Sequence, residues 1–227
     1  MMNLPFDADQ FLRVLVQYNQ AVWPMQLVLN GAALAGAGLL FCAQPWASRM
    51  IALLLTGLWL WIALSYHFSF FVSINPAAWW FGILFLLGGA AFDWFGVVED
   101  RLRFEVSSNP WKLTGVILMI FAVVIYPLIG YAIGRRYPAA ITFGLPCPTT
   151  IFTIGLLLFA EAPLPRSVFV VPLVWCAIGS LAALWLGVFE DLSLIVAGVV
   201  GLAAVFYLHG RPGQIIRQSS TPHRVRP

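Results

Sequence analysis

GLPCPTTIFTIGLLLFA, residues 144–160, sets a cysteine between two prolines, follows it with two threonines, and then runs into apolar residues. A membrane-crossing helix needs about 20 mostly apolar residues. The thirteen from Pro148 to Ala160 would rise only about 20 Å at 1.5 Å each, short of a hydrocarbon core of about 30 Å. Either Thr142 to Cys147 dips into the membrane to complete a crossing, or the segment is re-entrant and turns back. The first alternative gives seven spans and the second six, so the fold turns on this stretch.

That lipid is the relevant solvent follows from composition. The chain has 227 residues, of which 61% are hydrophobic, 15% aromatic and only 9% charged. A water-facing surface needs roughly a quarter charged residues, and these charges are too few to cover a globule of this size. Outward from the opening stretch, apolar runs fall at 22–42, 49–66, 77–97, 111–134, 167–187 and 192–208, with 148–160 as the seventh. The expected fold is an all-α, polytopic transmembrane helix bundle, one integral membrane domain over 1–208, with seven spans preferred to six. Ahead of it, residues 7–19 read as an amphipathic helix. Asp7 stands at the N-cap position, and Phe11, Leu12, Val14, Leu15 and Tyr18 recur at helical spacing. That helix is expected along the membrane surface, and 209–227 as a flexible basic tail.

Lys and Arg favour the cytoplasmic side. With seven spans, one face holds Arg13, Arg135 and Arg136. The other holds Arg49, Arg101, Arg103, Lys112, Arg166 and four tail arginines, so three stand against nine. The N-terminus is then outside and the C-terminus cytoplasmic. A re-entrant 148–160 would make the split eight against four. Trp23, Trp79, Trp80 and Trp185 fall at the outer level, and Trp46, Trp94 and Trp111 at the inner, where tryptophan is enriched. The net charge of +3 belongs to this topology signal and does not point to nucleic acid. No basic segment, apolar run and small-residue cleavage site precede the first span, so no removable signal peptide is expected. Gly31, Ala32, Ala35, Gly36 and Gly38, with Ala197, Gly198 and Gly201, are read as close helix–helix contacts.

On this topology, three loops with the chain's oddest residues share the outer face, and each ends in a helix-start signal. Asn75 precedes Pro76 as an N-cap with proline at the first helical position. Pro148 takes the same part behind Cys147, with the Thr149 and Thr150 hydroxyls available to orphan backbone donors. Asp191 is placed to cap the last helix. Irregular apolar backbone at membrane depth is tolerated where it is buried in protein or lines a cavity, and proline-interrupted segments at corresponding places point to a binding site. The starts either merely cap a bundle or surround a shallow external pocket. In the second case, their free N–H groups would face a polar or anionic ligand. His67, Asn75, Cys147, Thr149, Thr150 and Asp191 are the candidate pocket residues.

Each has a bland reading beside the functional one. A single histidine such as His67, with no second ligand nearby, is more often a hydrogen-bonded interface residue than a metal ligand. Cys147 beside proline suggests a soft-metal element, but no second cysteine accompanies it, and a buried thiol without an adjacent base is inert. The three cysteines Cys42, Cys147 and Cys176 form no recognisable spacing. Gln26 and Asn30 are expected to bond a neighbouring helix. Nucleotide-binding, zinc-protease and serine-hydrolase motifs are absent, so no catalytic residue, metal or cofactor is assigned and the reading leans away from an enzyme.

AVWP near the first span, YHFSFFVSINPAA, YPAAITFGLPCPTTIFTIGLLL and LGVFEDLSLIVAG together resemble a bacterial membrane family known only as domain of unknown function 6064. The similarity runs nearly to Leu208, and PCPTTIFT is its most specific part. The resemblance implies a bacterial inner-membrane protein with several spans and carries no activity, substrate or cofactor. The functional expectation is a small-solute binding or transport protein with a pocket at the outer face, with the lipid bilayer and a small-molecule ligand as its expected partners. A non-catalytic accessory subunit of a membrane complex ranks next, and a membrane-embedded thiol or metal redox enzyme last.

Overall fold

The computed structural model describes residues 5–107, 109–161 and 164–209, so the expected tail from 210 onward, with its four arginines, lies outside the described residues. Those residues build an all-helical bundle. The first helix, α1 (Ala8–Ala21), begins at Asp7, whose carboxylate accepts the Gln10 N–H while the Gln10 side chain accepts the Asp7 N–H. This reciprocal capping closes two orphan donors. Val14, Leu15 and Tyr18 form its buried stripe, as the spacing predicts. A bend of 85° separates α1 from α2 (Met25–Leu39). Gln26 of α2 crosses that bend to the Asn19 carbonyl at 2.9 Å, whereas Asn30 bonds within its own helix, to the Gln26 carbonyl at 2.7 Å.

The long apolar helices follow. Helix α3 (Pro45–Trp61) continues through wider, π-helical turns at Ile62–His67. Helix α4 (Ala78–Asp93) ends the same way at Trp94–Val98. Helix α5 (Pro110–Ile120) leads through π-helical Phe121–Ile125 into α6 (Tyr126–Ala132), where Pro127 cannot donate to the preceding turn. Next comes α7 (Pro146–Leu157), then α8 (Ser167–Leu186), a short 3-10 turn at Phe189–Leu192, and α9 (Ser193–His209). Among the described residues, five helical stretches are long and apolar enough to cross a membrane, or six if the bent pair α1–α2 counts as one span. The expected count of seven is therefore not established by length and composition.

Two expected spans fall short: α2, in the expected span 22–42, has only 15 residues and follows the bend, and α7 is shorter still. It has only 12 residues, yet Pro146 and every residue from Pro148 to Leu157 are buried. Helices α5, α8 and α9 pack around it, and Trp59 of α3 donates its indole N–H to Thr153 at 3.1 Å. The helix is a central post enclosed by protein, so lipid thickness does not dictate its length. Its closest neighbour is α5: a Cβ built on Gly155 would lie 2.8 Å from the Gly115 carbonyl oxygen, and one on Gly115 would lie 2.6 Å from that of Gly155. The first span's Gly31 and Gly38, expected at a helix contact, have nothing within 4 Å. Large apolar side chains such as Leu34, Ile83, Leu113, Leu184 and Val199 stay exposed on the outer helices, the pattern of a surface that meets an apolar solvent.

The two ends of the post lie in two loop layers. In one, Arg49 pairs with Asp100 at 3.2 Å, the Phe104 N–H reaches Ser48, and Phe159 accepts the Glu105 N–H. The Lys112 ammonium donates to the Glu105 carbonyl. Glu161 sits here too, and a hydrogen bond shared with Glu105 holds its carboxyl above the usual range, aided by burial. In the other layer, Asn19 of α1 donates to the carbonyls of Pro138 and Ala140, each at 2.7 Å, and Arg135 pairs with Glu190.

Candidate functional site

The second layer surrounds a cavity of about 250 Å³. Asn75, Cys147 and Asp191, drawn from the segments that open α4, α7 and α9, all line it. Three sequence-distant helix starts thus share one space.

Each start is built differently from its sequence expectation. Helix α4 begins at Ala78, not at Pro76. Asn75 caps the turn before it, accepting the Ala77 N–H on its side chain at 3.1 Å and the Ala78 N–H on its carbonyl at 2.9 Å. Helix α7 begins at Pro146, so Pro146 rather than Pro148 holds the first helical position. Asp191 lies in the 3-10 turn ahead of α9, and its carboxylate accepts from the Tyr126 hydroxyl. The Cys147 thiol is within hydrogen-bonding reach of the same carboxylate.

These details overturn the expectation of free N–H groups aimed at an anion. Pro146 and Pro148 have no N–H to offer. The Ala77 and Ala78 donors are spent on Asn75, and the Asp191 N–H is spent on the Val188 carbonyl. The starts are punctuated so thoroughly that little donor capacity is left for a ligand.

The other three candidates stand apart from the cavity surface. Thr149 and Thr150 are fully buried. Thr149 accepts the Gly144 N–H at 3.2 Å, serving an orphan backbone donor as expected, while Thr150 instead donates to the Pro146 carbonyl at 2.8 Å. His67, 0% exposed, lies behind the wall. Its ring is 5.2 Å from that of Tyr66, 5.0 Å from Phe85 and 5.3 Å from Trp175. Neither ring nitrogen has a partner among the described residues, so the expected hydrogen-bonded interface histidine is instead packed among aromatic rings.

Reasoning from sequence missed the walls. Tyr66, Phe71, Phe81, Trp175 and Trp185 line the cavity, Phe6 with Phe11 and Leu15 of α1 forms another side, and it is open where Leu181 and Trp185 of α8 are exposed. Phe6 and Phe71 meet edge to face at 5.4 Å, a favoured arrangement of aromatic quadrupoles. Trp175 is the most informative: its indole N–H meets no well-aligned oxygen or nitrogen acceptor among the described residues and faces the Cys147 sulfur instead. A Cβ built on Gly179 would lie 3.6 Å from that nitrogen and 3.7 Å from the Cys147 sulfur, so both converge on one spot. A Tyr and a Trp inside apolar runs, at 126 and 175, were the available signal, since each carries a polar group that needs a partner.

Beside Asp191, Glu190 is 2% exposed and pairs with Arg135, whose second nitrogen donates to the Gly187 carbonyl at 3.0 Å. No group of three or more His, Cys, Asp and Glu residues stands close enough to hold a metal ion among the described residues. Taken together, the site is an aromatic chamber with one carboxylate and one thiol at its polar end.

No curated protein and no solved structure matches the chain. A family of unknown function, DUF6064, matches over residues 8–213, from the start of α1 through all the site elements, and the chain belongs to that family.

Proposed function

We propose that this is a membrane-embedded binding protein whose cavity takes a small, largely apolar molecule from the outer side of a bacterial inner membrane. The observation that carries the reading is the convergence of Asn75, Cys147 and Asp191 on one aromatic-walled cavity of about 250 Å³. Pockets of this kind, apolar with a few convergent polar groups, are the usual form of small-molecule sites. An apolar cavity of about 150 Å³ accepts benzene, so this one suits a ligand of roughly ten heavy atoms. An accessory subunit would be expected with a filled interior, and the cavity counts against it.

Binding is favoured over transport because a carrier needs a second route out. Below Cys147, the path toward the opposite loop layer is occupied by the buried residues of α7 and by Trp59 against Thr153. The proposed topology has seven crossings, with α7 as a short one shielded from lipid, the N-terminus outside and the tail inside. Its support is the pairing of loops into two layers and the excess of Lys and Arg in the layer away from the cavity.

The test is saturable quenching of tryptophan fluorescence in the full chain, purified in lipid nanodiscs, by a panel of aromatic molecules of about ten heavy atoms, neutral, anionic and cationic. Ala182, half-buried at the cavity edge, is replaced by Phe to fill it. Quenching by at least one member that disappears in Ala182→Phe supports the reading, and its absence across the panel sinks it. Labelling of Cys147 from outside intact cells, with Cys42 and Cys176 replaced, tests the orientation.

A further inference from the structure

We infer that the occupant of this cavity is an organic cation, an ammonium carried on an aromatic or aliphatic body. This rests on the binding reading above and adds the sign of the ligand's charge. Asp191 is only 6% exposed and faces the cavity, and its partners are neutral: the Tyr126 hydroxyl and the Cys147 thiol. No basic group among the described residues forms an ion pair with it. The guanidinium that acts on it, Arg135, is committed to Glu190 and to the Gly187 carbonyl. The second Glu190 oxygen is itself buried without a partner. Two acids therefore stand with one base beside the cavity, of which only Asp191 reaches its lining. A buried carboxyl without a counter-charge is held towards its neutral form, and a cation in the cavity would let Asp191 ionise against it. A positive ligand supplies the missing counter-charge.

The walls favour the same sign. Tyr66, Phe71, Phe81 and Trp175 all line the cavity as one packed cluster, with Tyr66–Phe71 and Phe71–Phe81 stacked at 5.4 and 6.4 Å and Phe81–Trp175 edge to face at 5.5 Å, so that a cation is served by those ring faces that the stacking leaves uncovered. Aromatic faces attract cations and repel anions, and desolvated cages of such rings recognise quaternary ammonium groups. The helix starts that would have favoured an anion are stripped of donors by Pro146 and Pro148 and by the bonds that Asn75 accepts. Size and the unpaired Asp191 carboxyl point one way, and the Trp175 indole N–H, a donor in the wall, is turned to the Cys147 sulfur.

The experiment compares two molecules of nearly equal shape, trimethylphenylammonium and tert-butylbenzene, on the full chain in nanodiscs. Binding is counted as the quenching that Ala182→Phe abolishes. The cation should bind at least tenfold more tightly than its neutral isostere, and Asp191→Asn, which keeps an acceptor for Tyr126, should bring the two within about threefold. Equal or tighter binding of tert-butylbenzene to the natural chain overturns the charge assignment while leaving the binding reading intact. No cavity-dependent binding of either molecule overturns both. If Asp191→Asn does not fold, the comparison on the natural chain decides alone.

Discussion

Replacing Gly155 with alanine should weaken the fold, although alanine is the better helix former. The added methyl would sit 2.8 Å from the Gly115 carbonyl oxygen, 2.9 Å from Met119 Cγ and 3.2 Å from Leu118 Cβ. Comfortable carbon contacts lie at about 3.5–4.0 Å. Met119 can swing away, but the Gly115 oxygen belongs to the backbone of α5, so α5 and α7 must separate by about 0.7 Å or more. Overpacking costs about 1–3 kcal/mol, and a clash with backbone lies in the upper part, about 2–3 kcal/mol, of which alanine's helix preference returns about 1 kcal/mol. The net loss of about 1–2 kcal/mol is a five- to thirtyfold change in the folding equilibrium. Gly31→Ala is the matched control: with nothing within 4 Å of its Cβ position, only the propensity gain remains. Denaturant unfolding of both variants in mixed micelles, followed by tryptophan fluorescence, reads the two signs. If Gly155→Ala is as stable as the natural chain, or is stabilised along with Gly31→Ala, then α5 and α7 do not touch backbone to backbone and α7 is not the central post.

Arg135→Ala should be far more damaging. Its partner Glu190 has a fully buried side chain, and breaking a buried pair from one side costs about 3–5 kcal/mol. Adding Glu190→Gln should recover a large part of that loss in the same unfolding assay, and a double variant no better than Arg135→Ala would show that the pair is not the cause. Glu161 gives a pH signature in the other loop layer. Its folded carboxyl, sharing a hydrogen bond with Glu105, holds a proton to higher pH than in the unfolded chain. The folded state is therefore favoured below that raised pKa, and the advantage is lost as pH rises through it. Thermal unfolding between pH 7 and about pH 4 should show this acid-side gain in the natural chain and not in Glu161→Gln.

What the sequence made legible was whatever periodicity and punctuation encode. The capped α1, the long apolar helices and the odd residues that open α4, α7 and α9 follow from local rules acting over a few residues. The convergence of Asn75, Cys147 and Asp191 could be anticipated because the direction of each crossing fixes the side on which its start lies. Packing partners were not legible. Gly31 and Gly155 look alike in sequence, yet one faces open space and the other a carbonyl oxygen, because which helix face meets a neighbour is decided by the whole bundle. His67 was read by its chemistry, whereas its aromatic surroundings come from residues up to 108 positions away, at Trp175. Donor exhaustion at the helix starts was hidden for another reason. Proline signals a helix start by lacking an N–H, and the same lack removes the donor that a ligand would find there.

The shortness of α7 ties these features together. In the proposed seven-span topology a helix of 12 residues does not bring both ends to the surface of a bilayer, so the segment leading into it descends as irregular backbone. Ile141, Phe143 and Leu145 are accordingly buried, at 5%, 2% and 2% exposure. Buried backbone of that kind needs a hydrogen-bond partner for every polar group. Asn19 supplies two of them, to Pro138 and Ala140, and Thr149 supplies a third, to Gly144. Asn19 belongs to α1, which also sets Phe11 and Leu15 against the cavity, with Phe6 just ahead of it. The same helix that satisfies the descending loop therefore walls one side of the space that the descent leaves above Cys147. Cavity and short helix have one cause, and removing α1 from its place would expose the loop's carbonyls and open the chamber on that side in a single step.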